Sequence, residues 1–420
     1  MLCLRSLTII GEKVRDMEKY KYLILGAGPA GLTFANLLLQ NGEESFLVIE
    51  KENEAGGLCR SHEVDGAPLD IGGGHFLDVR RPDVNEFLFR FMSENEWNLF
   101  VRNSKIKLKD KMIDHPIEAN IWQLPIDEQI KYLTSIAKAG CTRGGNKPEK
   151  FVDWILWKLG TEITNEYMIP YNTKMFSKNL NELGTYWLDK LPDVSFENTL
   201  RSCLEHKAYG IQPGHAQFYY PKKYGYGEIW KRMADTLGEH IAYNIQVKGI
   251  EFGNNIVFAN DGRRIKGEKV ITTIPWKELE TLDNMPNELC NEIKKLKYSS
   301  LYIKYYKENI DSDAHWIYYP DLTLDYHRIL IRHNFCPRSR GYWTETNAER
   351  FDISNWDDST FYNEYAYPLN TIDKPRIMAE IIGYSTKRNV FPLGRWGEHQ
   401  HYNSDLTVYK AMKLFDEICG

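Results

Sequence analysis

The residues of this chain best suited to chemistry begin near its amino-terminal end. The segment Lys21-Tyr-Leu-Ile-Leu-Gly26-Ala-Gly28-Pro29-Ala30-Gly31 puts three glycines directly behind an apolar run, and Leu47-Val-Ile-Glu50 and the doublet Gly56-Gly57 follow at a fitting distance. Tyr22 to Leu25 suits a buried parallel strand. Gly26 and Gly28 permit a tight turn in which backbone amides approach a pyrophosphate without hindrance from Cβ. Gly31 lets the next helix, expected over Leu32 to Leu39, lie against that strand. Its N-terminus offers unpaired N–H groups and partial positive charge to phosphate oxygens. Glu50, ending the second strand, is placed to bond a ribose diol. Glycine-rich turns alone occur in many strand–helix units that bind nothing, but here strand, helix, second strand and acid fall in register and predict a dinucleotide site.

The loop Lys51-Glu-Asn-Glu-Ala-Gly56-Gly57-Leu58-Cys-Arg60-Ser61 fits around a pyrophosphate and the edge of an isoalloxazine ring, which points to FAD. A nicotinamide site has no comparable need for the second glycine turn. In Leu69-Asp-Ile-Gly72-Gly73-Gly74-His75-Phe76 the backbone is able to run flat against a planar ring. Taken singly, His75 reads as a structural histidine; its place behind the flavin motifs makes it a candidate. Arg328, in an alternating strand, and Arg395, in Val390-Phe-Pro-Leu-Gly394-Arg395-Trp-Gly397, suit a diphosphate, because a guanidinium fork bonds two oxygens at once and stays charged. Either one alone also reads as an ordinary surface or ion-paired arginine.

The elements that must position these groups are legible from periodicity. Ile126 to Ala139 and Pro148 to Leu159 carry apolar residues at helical spacing, with Pro148 expected in a first turn. The stripe Phe151, Trp154, Trp157 reads as core packing before ligand stacking. Pro170-Tyr171-Asn172-Thr-Lys174-Met-Phe176 is expected to be a polar, aromatic turn. A basic glycine turn at Lys222 to Gly227 joins a strand to the helix Ile229 to Leu237. Gln246 to Phe252, Ile256 to Phe258 and Lys269 to Pro275 read as strands returning to the nucleotide unit, so the chain leaves that unit and re-enters it. Tyr298 to Tyr319 and Tyr326 to Phe335 alternate as in an antiparallel sheet with one wet face.

With 420 residues, 42% of them hydrophobic, the chain forms one large α/β unit or two to three domains. A net charge of -5 gives no reason to expect nucleic acid or an anionic membrane surface. The seven cysteines are scattered without a CxxC pair, so neither a disulfide framework nor a zinc site is expected, no metal is called for, and a reducing cytoplasm is the simplest compartment. Nothing approaches the roughly eighteen apolar residues that a spanning helix requires. Residues 1–16 read as a disordered extension.

From Met17 onward the chain resembles the UDP-galactopyranose mutases, within the wider flavin amine-oxidase and protoporphyrinogen-oxidase fold. Besides the glycine fingerprint, the likeness rests on Pro116-Ile-Glu-Ala-Asn120-Ile, Pro170-Tyr171-Asn172, His215-Ala-Gln-Phe-Tyr-Tyr-Pro221, Gly225-Tyr-Gly227-Glu-Ile-Trp230, Trp316-Ile-Tyr318-Tyr319-Pro320, Arg328 to Pro337, Glu364-Tyr365-Ala-Tyr367-Pro368 and Gly394-Arg395. The resemblance implies an α/β fold: a Rossmann-like FAD-binding domain from residues 17–80, 222–284 and 385–420, a helical insertion at 126–200, and an antiparallel-sheet substrate domain from 100–125, 201–221 and 285–384.

The same resemblance implies contacts to FAD from Gly26, Gly28, Pro29, Ala30, Gly31, Glu50, Lys51, Gly57, Leu58, Gly73, Gly74, His75, Val247, Gly394, Arg395 and Asp405. It implies that Arg328 and Arg395 grip a substrate diphosphate, with Tyr318 and either Tyr365 or Tyr367 beside them and His401 close by. Asn172 and Phe176 then border the sugar pocket, and His75, Arg328 and Arg395 form the catalytic set. The implied reaction interconverts pyranose and furanose forms of a nucleotide sugar through an N5 adduct of reduced FAD, for cell-surface polysaccharide. Departures from the family pattern keep the substrate open. Glu118 replaces a glutamine near uracil and, ionised, only accepts hydrogen bonds. His401 stands where a phosphate-binding tyrosine is expected, with Tyr402 adjacent, and Lys190 stands beside the place of another arginine. A different nucleotide sugar, an FAD-dependent oxidoreductase of the amine-oxidase or protoporphyrinogen-oxidase type, and a flavin-holding scaffold without activity remain alternatives, and a homo-oligomer is compatible with all three.

Overall fold

A computed structural model describes residues 17–142, 144–188, 194–210 and 216–420. The extension expected at residues 1–16 lies outside the described residues, as do Lys190 and His215. Strand β1 (Glu18–Leu25) is buried over Tyr22 to Leu25, and helix α1 (Pro29–Gln40) follows after a three-residue turn. The helix begins three residues before the expected Leu32, because proline, lacking an N–H, is tolerated in a first turn where that group has no partner. Strand β2 (Phe46–Ile49) is buried throughout and runs parallel to β1, pairing Leu23 with Leu47 and Leu25 with Ile49. That register sets Glu50 just beyond the sheet, at the level of the glycine turn. A Cβ on Gly31 would come within 2.0 Å of the Gly26 carbonyl oxygen, so glycine at this position is what allows α1 to sit on β1.

The first sheet has eight strands. The chain leaves it after Ile49 and returns at Ile241–Ala242, which pairs parallel with β2. It continues through Val247–Glu251, Ile256–Ala259 and Arg264–Thr272, the last parallel to β1. Val390–Pro392 joins that edge late in the chain.

A second sheet of seven strands brings together Ser104–Leu108, Trp316–Tyr318, Arg328–Ile331, Tyr342–Asn347, Tyr298–Tyr306 and Thr360–Pro368, with Lys111–Asp114 at one edge. Burial in Tyr298–Tyr306 alternates residue by residue, as its sequence predicts. Tyr318 pairs with Arg328, and Arg328 pairs with Glu345. Cross-strand partners in antiparallel pairs stand on the same face. Three polar side chains from three strands are therefore abreast. Between the two sheets runs the turn Gly73–His75, followed by Phe76, whose ring contacts Phe218, Trp316 and Phe335 at 4.5, 5.2 and 5.4 Å.

The helices Ile126–Thr142 and Phe151–Ile163 pack around Ile136, Ile155, Leu159 and Ile163. Phe151 belongs to that core, and Trp154 lies partly buried against it. Pro148 falls outside the helix, which begins at Phe151 once the Lys150 backbone has bridged Gly184. The stretch expected to be a turn around Pro170 is instead the helix Ile169–Phe176, with proline again in the first turn. It continues out of a π-helical turn, Thr164–Met168, a bulge of the kind that re-aims side chains. Tyr167 and Tyr171 come from this irregular passage.

Gly31→Ala is expected to destabilise the protein by about 1–3 kcal/mol through overpacking between α1 and β1. In urea titrations this appears as a lower midpoint at unchanged slope; an unaltered midpoint would contradict the close approach.

Candidate functional site

The glycine turn opens into a cavity of about 380 Å³ that runs along the carboxyl end of β1 and β2, within the size range of small-molecule sites. Gly26, Gly28, Pro29 and Ala30 form one wall, and Gly57, Leu58 and Cys59 form another. A Cβ on Gly28 would meet nothing within 4 Å, while one on Gly57 would lie 3.4 Å from the Gly28 Cα. The two glycines thus leave a cradle that side chains would fill. Glu50 accepts hydrogen bonds from the Ala27 and Glu52 N–H groups at 2.7 and 3.0 Å; each carboxylate oxygen keeps a second lone pair for a diol. Val247 and Tyr365 line the far side, and Lys51 spans the cavity to pair with Glu278 above the Tyr365 ring. The helix Ser404–Cys419 begins here too, with Ser404 and Thr407 on the wall. These features fit the adenylate, pyrophosphate and ring of a dinucleotide.

Several residues expected at the cofactor lie behind this wall. Gly31 supports the α1–β1 contact, and a Cβ on Gly394 would lie 2.7 Å from that of Ala30, so Gly394 serves packing between helices. The Asp405 carboxylate does not line the cavity, because it is fully buried in an ion pair with Arg81. Gly73 and Gly74 face the second sheet: the Gly74 N–H donates to Glu345 Oε1 at 2.9 Å. Arg60 lines the cavity although it was not singled out; its Nε donates to the Gly57 carbonyl at 2.9 Å, which fixes the second glycine turn.

His75 lines the cavity at its inner end, stacked on Tyr226 at 6.4 Å. Burial, reinforced by the charge of Arg395, lowers its pKa to about 3. The ring is therefore neutral at physiological pH, with its Nδ1–H donating to the Gly73 carbonyl at 3.0 Å. Beyond it lies a second group. Arg328 donates from Nε and Nη2 to Glu345 Oε2, the former at 2.9 Å. Burial opposes ionisation of both partners, but each stabilises the other's charge: Arg328 is raised, and Glu345 is lowered to about 2. The Arg328 side chain keeps 17% exposure, whereas Glu345 has none. Tyr367 is raised to about 12 by burial and stands in the fields of Arg328 and Arg395. It also packs against His401 at 4.8 Å. Tyr318 accepts hydrogen bonds from Arg102 Nη2 at 3.1 Å and from Trp316 Nε1 at 2.9 Å. Between the two tyrosines proposed for this role, Tyr367 sits beside Arg328, and Tyr365 belongs to the first cavity.

Other placements depart from the sequence reading. Arg395 lines the cavity beside His75, but its Nε and Nη2 donate to the Tyr402 carbonyl at 3.0 and 2.7 Å and its Nη1 to that of Ala366 at 3.2 Å. Three of the five N–H groups of the guanidinium expected to take a diphosphate are thus engaged by backbone, which leaves one on each terminal nitrogen. Phe176 is core, edge-on to Trp187. The Asn172 side chain donates to the Met168 carbonyl at 2.7 Å within its own helix and is buried there. Glu345 and Arg102 carried no local signal in the sequence. Alternation marks their strands, but only register brings them to Arg328 and Tyr318.

The model of the flavin containing amine oxidoreductase family matches residues 29–305, which places the chain in that family. The cofactor is accordingly a flavin and the protein a flavin-dependent enzyme. An 84-residue stretch is 30% identical to UDP-galactopyranose mutase of Mycoplasma pneumoniae, covering 20% of this chain and 21% of that protein, so the match spans about a fifth of the relative's length. The fold superposes on reduced UDP-galactopyranose mutase with a TM-score of 0.86 at 21% identity, covering 96% of this chain and 94% of the other. Putrescine oxidase bound to putrescine superposes with a TM-score of 0.63 at 15% identity, covering 96% and 99%. At these identities the likeness to solved structures establishes the fold. Among the described residues, no helix is long and apolar enough to cross a membrane.

The Arg328–Glu345 pair generates a pH prediction. A carboxylate held below its unfolded value of about 4.3 contributes stability that is present above that pH and lost as pH falls toward about 2. Glu345→Gln is expected to flatten this window of the stability profile. It should also cost about 3 kcal/mol at pH 7, by leaving Arg328 buried without its counter-charge. An acid limb identical to wild type in chemical denaturation series would contradict the assignment.

Proposed function

We propose that this member of the flavin containing amine oxidoreductase family binds FAD and, with the cofactor reduced, interconverts the pyranose and furanose forms of a nucleotide sugar as a UDP-galactopyranose mutase does. The observation that carries this reading is the Arg328 guanidinium, deep yet solvent-reachable, flanked by Tyr318 and Tyr367 beyond the inner end of the flavin cavity. Such a set suits the leaving diphosphate of a nucleotide sugar. The pathway served is cell-surface polysaccharide assembly in the cytoplasm.

Each residue has a physical task. Gly26, Gly28 and the N-terminus of α1 receive the pyrophosphate of FAD, Glu50 orients the adenosine ribose, and Arg60 holds the Gly57 turn. When bound and reduced, FAD would supply the nucleophile for exchange at the anomeric carbon, with the nucleoside diphosphate as the leaving group. Glu345 takes the Nε edge of Arg328 and so directs the Nη1 edge to a phosphoryl oxygen, where fixed charge stabilises the departing anion. Arg395 lends its positive field to the flavin side of the boundary. Oxidases share this fold, but an amine substrate would bring a cation toward Arg328, Arg102 and Arg395, an unfavourable approach.

The purified protein should carry flavin absorbance that identifies as FAD after release. After dithionite reduction it should convert UDP-galactofuranose to UDP-galactopyranose with no net electron consumption. Arg328→Ala should weaken UDP binding by about 2 kcal/mol, as loss of a charged hydrogen-bonding partner implies. Steady peroxide production with an amine, together with no conversion of any nucleotide sugar, would overturn the mutase reading.

A further inference from the structure

Arg102 lies just past the strand Trp97–Val101 and belongs to none of the motifs that carry the family resemblance. Its guanidinium stacks over the Trp316 ring at 5.0 Å and donates to Ser104 Oγ at 2.8 Å, to His115 Nδ1 at 3.1 Å and to the Tyr318 hydroxyl at 3.1 Å. Arg102, His115, Tyr171, Tyr318, Arg328 and Tyr367 are each half-buried. Burial is nonetheless the largest influence on the ionisation of Arg102, His115, Tyr171 and Tyr367. Side chains that keep solvent contact while strongly desolvated line a deep cleft.

The hydrogen bonding of this cleft has one polarity. Arginine only donates, so His115 Nδ1 accepts from Arg102 and the imidazole, which burial keeps neutral, carries its proton on Nε2. The Tyr318 oxygen accepts from both Arg102 and Trp316, which occupies its two lone pairs and leaves its O–H to donate. Arg328 stands directly opposite Tyr318 in the sheet. A ligand entering here therefore meets two guanidinium groups, a hydroxyl donor and an imidazole N–H. What satisfies four donors and two cations is an anion rich in acceptor oxygens. The two arginines are not equivalent, however. Glu345 neutralises Arg328 and raises its pKa, whereas burial and the field of Arg328 together lower that of Arg102.

We propose that Arg102 is a substrate-binding residue: with Arg328 it brackets Tyr318, and the diphosphate of the nucleotide sugar lies between the two guanidinium groups. This deepens the function proposed above and rests on it for the identity of the ligand. Arg102 then joins Arg328 at the diphosphate.

The test uses dithionite-reduced holoenzyme titrated calorimetrically with UDP and with inorganic pyrophosphate, in wild type, Arg102→Gln and Arg102→Lys. Glutamine retains a donor to Tyr318 without charge, and lysine retains charge without the fork. Flavin content and near-ultraviolet circular dichroism serve as fold controls. The expected result is at least a tenfold loss of affinity for both ligands in Arg102→Gln, with partial recovery in Arg102→Lys. A residue that only supports the fold would give equal effects in the two variants, or none. UDP affinity within twofold of wild type in Arg102→Gln would overturn the assignment and leave the mutase reading standing. Pyrophosphate binding that depends on Arg102, without UDP binding to wild type, would keep the anion site and remove the nucleotide sugar. Failure of wild type to bind either ligand would remove both.

Discussion

One buried carboxylate ties the two halves of this molecule's chemistry together. Glu345 accepts the Gly74 N–H with one oxygen and the Arg328 guanidinium with the other. The first contact fixes the turn that presents His75 to the flavin cavity; the second orients the cation of the neighbouring cleft. A charge so deeply placed is tolerated only with a counter-charge and hydrogen bonds, and here both come from groups that function requires in fixed positions. In the function proposed above, this pairing sets the boundary between cofactor and substrate. Its geometry follows from the sheet, where Arg328 and Glu345 are cross-strand partners.

The cavity beside that pairing is built by different means. Its floor is backbone: glycines that leave a cradle, a helix N-terminus behind them, and a carboxylate held by the Ala27 amide. Its inner end is side chain: His75, Cys59 and Arg395, with burial and the Arg395 charge holding His75 neutral. Arg395 gives three of its five N–H groups to two backbone carbonyls, so its position is set by the backbone around it. This separates two cations that look alike in the sequence. One is held by a carboxylate, and the other by backbone carbonyls.

The cofactor half of the site was legible in the sequence because its determinants are local. Gly26, Gly28, Glu50 and Gly57 act within a strand–turn–helix–strand unit of some thirty residues, and their spacing alone fixes their relation. The same holds for the alternating strand Tyr298–Tyr306. What could not be read depends on register between distant segments. Arg102 and Tyr318 are 216 residues apart, and Gly74 and Glu345 are 271 apart. The Pro170 stretch misled because a proline beside polar residues signals a turn, whereas here it occupies the first turn of a helix emerging from a π-helical passage. Asp405, named only through the family resemblance, stands in the first turn of a helix that borders the cavity, but its side chain pairs with Arg81.

The central claim is spatial: a flavin ring seated against the Gly73–His75 turn faces a cleft whose cations receive a diphosphate. A crystal structure of the reduced holoenzyme with UDP bound tests it most directly. The account predicts the isoalloxazine beside His75 and the UDP phosphoryl oxygens within hydrogen-bonding distance of Arg328 and the Tyr318 hydroxyl. A diphosphate bound elsewhere, with Arg328 still turned wholly to Glu345, would contradict it.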